Sequence, residues 1–530
     1  MKRKPAAPVF KPYVMNQAAL LPASYGELIP EEHLVRMVNK AVEEIDISSL
    51  LAQYKGGGTS SYHPKMLLKV LVYAYAERIY SSRRIAKALR ENLYFRWISG
   101  GSEPDFRTIN GFRSSRMKAV IGEIFSQVLE YLVAGGYVKL ENYFLDGTKI
   151  EADANKHKVV WAKRRENYQR RVQEQIKELL KEIEKANEAE EAEYGDKDLE
   201  EMGGNGQAEI NSELLKKTID RINQKLRDQS RAKKDTRPAK KALKKLEGDC
   251  LVRLEKYEQQ AETLKGRNSY SKTDPDASCM RMKEDRGAEK PWPKPAYNVQ
   301  IGTEGQFIVG FSVHGRAGDT ACLIPHLENL RTHFGRLPKN IVTDAGYGSE
   351  ENYAYVEEHD LGNFLKYNTF YQHTHHFRKP ELLRKRRFLA ENFEYDRAKD
   401  EFICPAKQRL LFQSTSRITT DNGYLTNRRI YECHQCSGCP LKPEYTKAKG
   451  NRTIRISFRL REYRNQARAN LTTEIGQQLR AKRSTEVETV FGIVKHNMGL
   501  RRFHLRGQDK VKTEWGLVSI AHNMKKLAAI

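Results

Sequence analysis

Three acidic residues stand where phosphodiester chemistry can use them. Asp146 closes the apolar run Tyr143-Phe144-Leu145, and Asp344 closes Ile341-Val342-Thr343 just ahead of the turn Ala345-Gly346-Tyr347-Gly348. Glu488 lies in Thr485-Glu486-Val487-Glu488-Thr489-Val490-Phe491-Gly492-Ile493-Val494-Lys495, where Val487, Val490, Phe491 and Val494 mark the buried stripe of a helix. Cutting a phosphodiester and joining strands uses two divalent ions, one activating the attacking oxygen and one stabilising the leaving oxygen. Hard cations such as magnesium take oxygen ligands, so three carboxylates from different elements make a suitable cage. Strand ends carry such groups to the rim of a sheet, where ligands collect. Glu488 and Lys495 are seven residues apart. That is about two helical turns and predicts a shared face, with Glu488 for metal and Lys495 for a nucleic-acid phosphate. Glu486 points away from Glu488 and ranks second. A lone Asp after an apolar run is more often a turn or a cap. Two of them, with a matching helical Glu in a basic chain, favour function.

A second constellation is sulfur-rich. Cys433-His434-Gln435-Cys436-Ser437-Gly438-Cys439 spaces three thiols by two residues, and Cys404 in Phe402-Ile403-Cys404-Pro405 offers a fourth. Four sulfurs close a tetrahedral structural zinc site, with His434 as a substitute ligand. The plain alternative is a set of reduced cysteines packing a small loop. His373-Thr374-His375-His376 reads as an exposed basic loop rather than a metal site, and Cys250, Cys279 and Cys322 read as packing or surface residues. Seven cysteines, odd in number, fit metal binding in a reducing compartment better than a disulfide framework.

The elements that must position these groups follow from the chain at large. At 530 residues it exceeds one hydrophobic core and predicts two to four domains. A net charge of +25, from 93 Lys and Arg against 68 Asp and Glu, points to a polyanionic partner, nucleic acid first. The apolar stretch Met66 to Tyr80 is broken by Lys69, Glu77 and Arg78, so it predicts a core helix rather than a membrane span. The basic N-terminus lacks the apolar run of a secretory signal, and a cytoplasmic, DNA-associated protein is expected. Residues 30 to 135 read as helical. Arg83, Arg84, Lys87 and Arg90 stand off the stripe Ile85, Ala86, Leu89 and Leu93, as a helix-turn-helix DNA reader or a plain bundle with a basic side would have it. From 160 to 266 the seams Val172, Ile176, Leu179, Ile183 and Leu215, Ile219, Ile222, Leu226 predict antiparallel coiled-coil segments. So does Leu246, Cys250, Leu254, Tyr257, Ala261, Leu264, with one irregular step. From 296 the pattern turns to strands alternating with helices. The stretch 370 to 455 reads as irregular. Arg501, Arg502, Arg506 and Lys510, interleaved with Phe503 and His504, suit phosphate contact with stacking on an unpaired base.

Together these motifs resemble the bacterial insertion-sequence DDE transposases. Leu145-Asp146-Gly147-Thr148 and Val342-Thr343-Asp344-Ala345-Gly346-Tyr347 resemble the first and second carboxylate regions. Arg483 to Lys495, followed by Gly499-Leu500-Arg501-Arg502-Phe503-His504-Leu505-Arg506-Gly507, resembles the third. Asp274-Pro275-Asp276-Ala277, Tyr297-Asn298-Val299-Gln300 and the helical segment 60 to 115 also look like that family. Its members often carry Arg four residues before the catalytic Glu; here Ser484 holds that place, with Arg483 one step earlier. The resemblance implies a ribonuclease H-like α/β core, an all-α N-terminal region that helps bind DNA, and magnesium-dependent transposition of the encoding element.

The expected organisation is a helical DNA-binding domain over 1–135 and a catalytic core over 136–155, 290–370 and 456–507. A helical coiled-coil insertion over 156–289, a cysteine-rich insertion over 371–455 and a basic helical tail over 508–530 complete it. The expected partners are double-stranded element ends and target DNA, bound by a homodimer or higher assembly, with Mg2+ or Mn2+ at the carboxylates. Arg483 joins the helical arginines among the expected DNA contacts. The rival expectations are a metal-dependent nuclease of the same fold and a catalytically inactive DNA-binding regulator.

Overall fold

The apolar run around Asp146 forms the middle of a mixed sheet in the computed structural model. The structure describes residues 24–54, 60–191, 210–231, 237–282, 292–374, 386–420, 422–445 and 449–530. In chain order the strands are β1 (Asn142–Glu151), β2 (Val159–Trp161), β3 (Ser269–Ser271), β4 (Ser278–Met280), β5 (Lys294–Glu304), β6 (Phe307–His314), β7 (Asn340–Thr343) and β8 (Gly362–Leu365). β9 (Glu394–Asp396), β10 (Glu401–Ile403), β11 (Arg409–Thr419), β12 (Leu425–Cys433) and β13 (Thr453–Ile456) follow. The main sheet runs β4-β5-β1-β7-β8, with β6 also on β5. β1, β5 and β6 are antiparallel, whereas β1, β7 and β8 are parallel. Parallel neighbours need crossovers, and the helices Leu323–Phe334 and Glu350–Glu358 supply them. This mixed sheet with its helices is consistent with a ribonuclease H-like core.

Alternation along β1 divides the packing. Phe144 and Ile150 join Val299, Ile301 and Val342 against the N-terminal helices. Tyr143 and Leu145 pack the other way, with Ile341, Leu323 and Leu327. Pro64 opens the helix Pro64–Ala76 as its first residue, and eleven of that helix's 13 residues are buried. The N-terminal helices thus share one hydrophobic cluster with the sheet. The chain's last helix, Gln508–Leu527, differs from the expected basic tail: 14 of its 20 residues are buried. It packs on β6 and on the helices Pro64–Ala76 and Met117–Ala134. Its apolar residues run all round, so no amphipathic stripe announced a core helix.

Two further packing units flank this core. Val172, Ile176, Leu179 and Ile183 of the helix Ala162–Glu191 meet Leu215, Ile219 and Leu226 of Ser212–Arg231. Leu246, Cys250 and Leu254 close the same cluster, so the expected seams pack as a bundle of several helices. The irregular step at Leu246 to Leu251 is a π turn. The stretch expected to be irregular instead builds an antiparallel sheet, β13-β12-β11-β10-β9. Most of β11 is exposed, so its apolar alternation is faint in the sequence. Among the described residues no helix is long and apolar enough to cross a membrane.

Candidate active site

Asp146 and Asp344 come together through strand register. β1 and β7 pair in parallel up to Leu145 and Thr343. Asp146 and Asp344 are the next residue along each chain, so both follow directly on neighbouring paired positions. Asp146 does not end its strand, as the sequence suggested. β1 runs on to Glu151 because β5 stays paired with it, while β7 stops at Thr343. Asp146 is only 6% exposed, and its Oδ1 accepts from Gly147 N at 2.8 Å. Asp344 caps the single 3-10 turn Ala345–Tyr347, its Oδ1 accepting from Gly346 N at 2.8 Å.

The third carboxylate rides on an unusual helix. Glu474–Arg483 is followed by a π turn, Ser484–Glu488, then Thr489–Gly492, then a second π turn, Ile493–Asn497. Such widened turns recur at functional sites. The buried Glu486 accepts from Gln306 N at 2.7 Å, so it anchors the β5–β6 turn. Glu488 is left exposed. Arg483, expected as a DNA contact, forks between two carboxylates: Nη1 to Asp146 Oδ2 at 3.3 Å and Nη2 to Glu488 Oε1 at 3.2 Å. Lys495 is buried within the second π turn, so it and the exposed Glu488 do not share one uniform α-helical face. The triad is not closed: among the described residues no three His, Cys, Asp or Glu side chains are gathered to hold a metal. The Arg483 guanidinium bonds both Asp146 and Glu488.

A further carboxylate, outside the sequence expectations, lies close to this pair. Asp319 Oδ1 accepts from Asn298 Nδ2 at 2.7 Å and from Gln300 Nε2 at 2.9 Å. Gln300 Oε1 in turn accepts from the Tyr347 hydroxyl. A Cβ at Gly147 would collide with Gln300 and stand 2.6 Å from Asp319 Oδ1. One at Gly346 would lie 3.8 Å from Asp319 Oδ2. Burial raises the Tyr347 hydroxyl well above its ordinary range, and the charges of Asp319, Asp146 and Asp344 add to it. The motif Tyr297-Asn298-Val299-Gln300 therefore links the Asp146-Gly147 and Gly346-Tyr347 segments. Asp319 gave no signal because it precedes a helix, like any capping Asp.

The basic segment after Asn497 is partly internal. Arg502 Nη2 reaches Asp153 Oδ1 at 2.8 Å, and Arg506 Nε reaches Asp153 Oδ2 at 2.9 Å. Arg501 Nη2 lies 2.9 Å from His496 Nδ1. Phe503, expected to stack on a base, is buried against Tyr297 and Trp515. His504 stacks on Tyr80, with Nδ1 2.9 Å from the buried Glu514. Arg83, Arg84, Lys87 and Arg90 are all exposed on the helix Ser82–Glu91, with Arg83 over the Phe106 ring and Lys87 3.6 Å from Glu91.

The four-sulfur cage is not assembled either. Cys433 and Cys436 are buried with Phe402, Leu410 and Tyr431, and Cys404 packs against them, whereas Cys439 is outside that cluster. Burial pushes the Cys433 thiol up to about 11, with the neighbouring Cys436 adding to the rise. A protonated thiol is a packing group, and a metal ligand only once deprotonated. Cys436 Sγ accepts from Arg452 N at 3.3 Å. His434 Nε2 lies 3.0 Å from Gln413 Nε2, while His375 and His376 lie outside the described residues.

Three family models match this chain. A transposase domain covers residues 23–115, and two models described as transposase DDE domains cover 267–393 and 403–528. No curated protein and no solved structure matches. The matches, with a mixed α/β sheet consistent with a ribonuclease H-like core, support a protein of the DDE class. The chain belongs to the DDE transposases of the insertion-sequence type.

Proposed function

We propose that the protein binds the terminal inverted repeats of its own element and catalyses strand cleavage and strand transfer. The observation that supports this most is the Asp146–Arg483–Glu488 bridge, with Asp344 one residue past the β1–β7 pairing. Its oxygen donors fit a hard divalent ion, and the guanidinium marks where positive charge is already satisfied between two of them. Asp146, Asp344 and Glu488 are the ligands in this reading. Magnesium or manganese held there would activate the attacking oxygen and stabilise the leaving one. Arg483 must withdraw for Glu488 to serve Asp146's side of the site. Lys495 steadies a phosphate, and Asp319 with Gln300 and Tyr347 fixes the spacing of the two Asp segments. Arg83, Arg84, Lys87, Arg90 and Arg501 supply DNA contacts. Arg502 and Arg506 do so from positions set by Asp153.

The finer assignments belong to the same proposal: a homodimer or larger assembly on DNA, and a helical insertion over 156–289. Zinc at Cys404, Cys433, Cys436 and Cys439 would require the four sulfurs to draw together. Supplying precut element ends and a target plasmid in magnesium tests the transfer step. Joined products are expected. Hydrolysis of ends without any joining would reduce the protein to a nuclease.

A further inference from the structure

Away from the carboxylates, the helix Phe458–Thr472 turns a row of arginines to one side. Arg461, Arg464 and Arg468 recur at i, i+3 and i+7, which shares a face. They line a cavity of about 360 Å³ with Arg455 of β13, His373 and Glu391. Glu391 is the single carboxylate among the described lining residues. It pairs with Arg464 and also accepts from Thr369 Oγ1 at 2.7 Å. Four guanidiniums therefore line the same cleft as one carboxylate. Burial holds Arg464 and Arg461 below the ordinary arginine range, and the charge of Arg468 adds to this for Arg461.

Among the described residues, two buried donors in this cleft have no hydrogen-bond partner. The His373 side chain is 9% exposed, and its Nε2 has no hydrogen-bond partner, standing 3.4 Å from Glu391 Oε2. Burial, then Arg468, Arg386 and Arg464, favour the neutral ring. Tyr367 Oη lies 3.1 Å from Nδ1. With the hydroxyl donating there, the ring proton sits on Nε2, so that atom donates. Arg464 Nε is likewise buried and unpartnered. Buried donors and excess positive charge are satisfied together by an anion.

We propose that this cleft binds a phosphate group, gripped by Arg455, Arg461, Arg464 and Arg468 with His373 donating from Nε2. Guanidinium forks match the oxygens of phosphate in pairs, where a lysine offers only a point charge. Given the DNA reading above, on which this inference rests, the phosphate belongs to a DNA strand, as an internal diester or an end monoester.

Thermal unfolding of the full chain in sodium phosphate, against sodium chloride at matched ionic strength, tests the cleft directly. A bound anion raises the melting temperature by mass action, here by at least about 2 °C. R461Q/R468Q should lose that rise. Should the double variant fail to fold, R455Q, at an exposed position, should need roughly threefold more phosphate for the same rise. A 5′-phosphorylated oligonucleotide that protects the wild type better than its unphosphorylated twin assigns an end monoester. Equal protection, lost in R461Q/R468Q, assigns a diester. No preference for phosphate over chloride, or a wild-type response in both variants, overturns the proposal. Cleavage of element ends by the same wild-type preparation reports the transposase reading separately. A protein that cleaves without a phosphate response loses only the cleft, and one that responds without cleaving loses only the transposase.

Discussion

Arg483 neutralises two carboxylates at once, and one of them, Asp146, is almost wholly buried. Removing the guanidinium takes one charge-assisted hydrogen bond from each carboxylate, at a cost of about 1.5–3 kcal/mol. Arg483→Gln should therefore melt earlier than wild type in EDTA, and magnesium should recover most of the difference. Melting curves with and without the ion check this; equal losses in both would mean that no cation replaces the guanidinium. Gly147 is constrained from the opposite direction, because any Cβ there meets Gln300 and Asp319. Gly147→Ala should cost about 1–3 kcal/mol by overpacking and lower cleavage along with it. Urea unfolding and a cleavage assay on one preparation read both effects. Residue type and local pattern singled out Asp146, Asp344 and Glu488, and the pairing of β1 with β7 brings the first two segments together. Asp319 was not, since what marks it is a contact across the sheet from β5, remote in the chain from Asp146.

The segment joining the second π turn to the last helix shows how an element can mislead. Its arginines alternate with Phe503 and His504, a pattern that suits nucleic acid as well as it suits a strand-like edge. In the fold, Phe503 N donates to Glu151 O and Glu151 N donates to Arg501 O, so the segment extends the end of β1. Gly507 N donates to Asp274 Oδ1 and Gln508 N to Asp276 Oδ2. The Asp274-Pro275-Asp276 motif thus ties the start of the last helix to the sheet, and burial raises the Asp274 carboxyl above its ordinary range. Phe503→Ala should destabilise the protein by about 3–5 kcal/mol, as a core truncation does. A base-stacking Phe503 would instead leave urea stability unchanged and weaken binding of single-stranded DNA. The helix Pro64–Ala76 was legible because proline marks its start and apolar residues fill it. The π turns were not, because inserting one residue into a turn needs no special residue type.

At the scale of the whole molecule, a basic chain is built around a hydrophobic cluster that runs from Ile29 to Met524. That continuity explains why composition shifts could suggest segments yet could not show that the N-terminal helices and the last helix close one core. Three histidines stand in or beside the packed interior, His326 and His522 buried and His314 half-buried. Burial holds His326 down to about 3, and His314 and His522 down to about 4. Unfolded histidine titrates near 6.5. The unfolded chain therefore binds more protons below that pH, and stability present above it is lost as pH falls toward 4. Each ring contributes up to about 1.4 kcal/mol per pH unit. Urea midpoints from pH 7.5 to 5 should fall, and His522→Gln, which can still donate to Gln306 O, should make the fall shallower. An unchanged slope would mean that His522 is not held neutral. The central claim is that Asp344, one residue past the β1–β7 pairing, is a metal ligand of a DNA-cutting site. Full-length Asp344→Asn, given magnesium and DNA carrying the element's terminal repeat, measures it most directly. The expected result is end binding within about twofold of wild type and cleavage lower by roughly 100-fold or more. Cleavage at the wild-type rate would contradict the account.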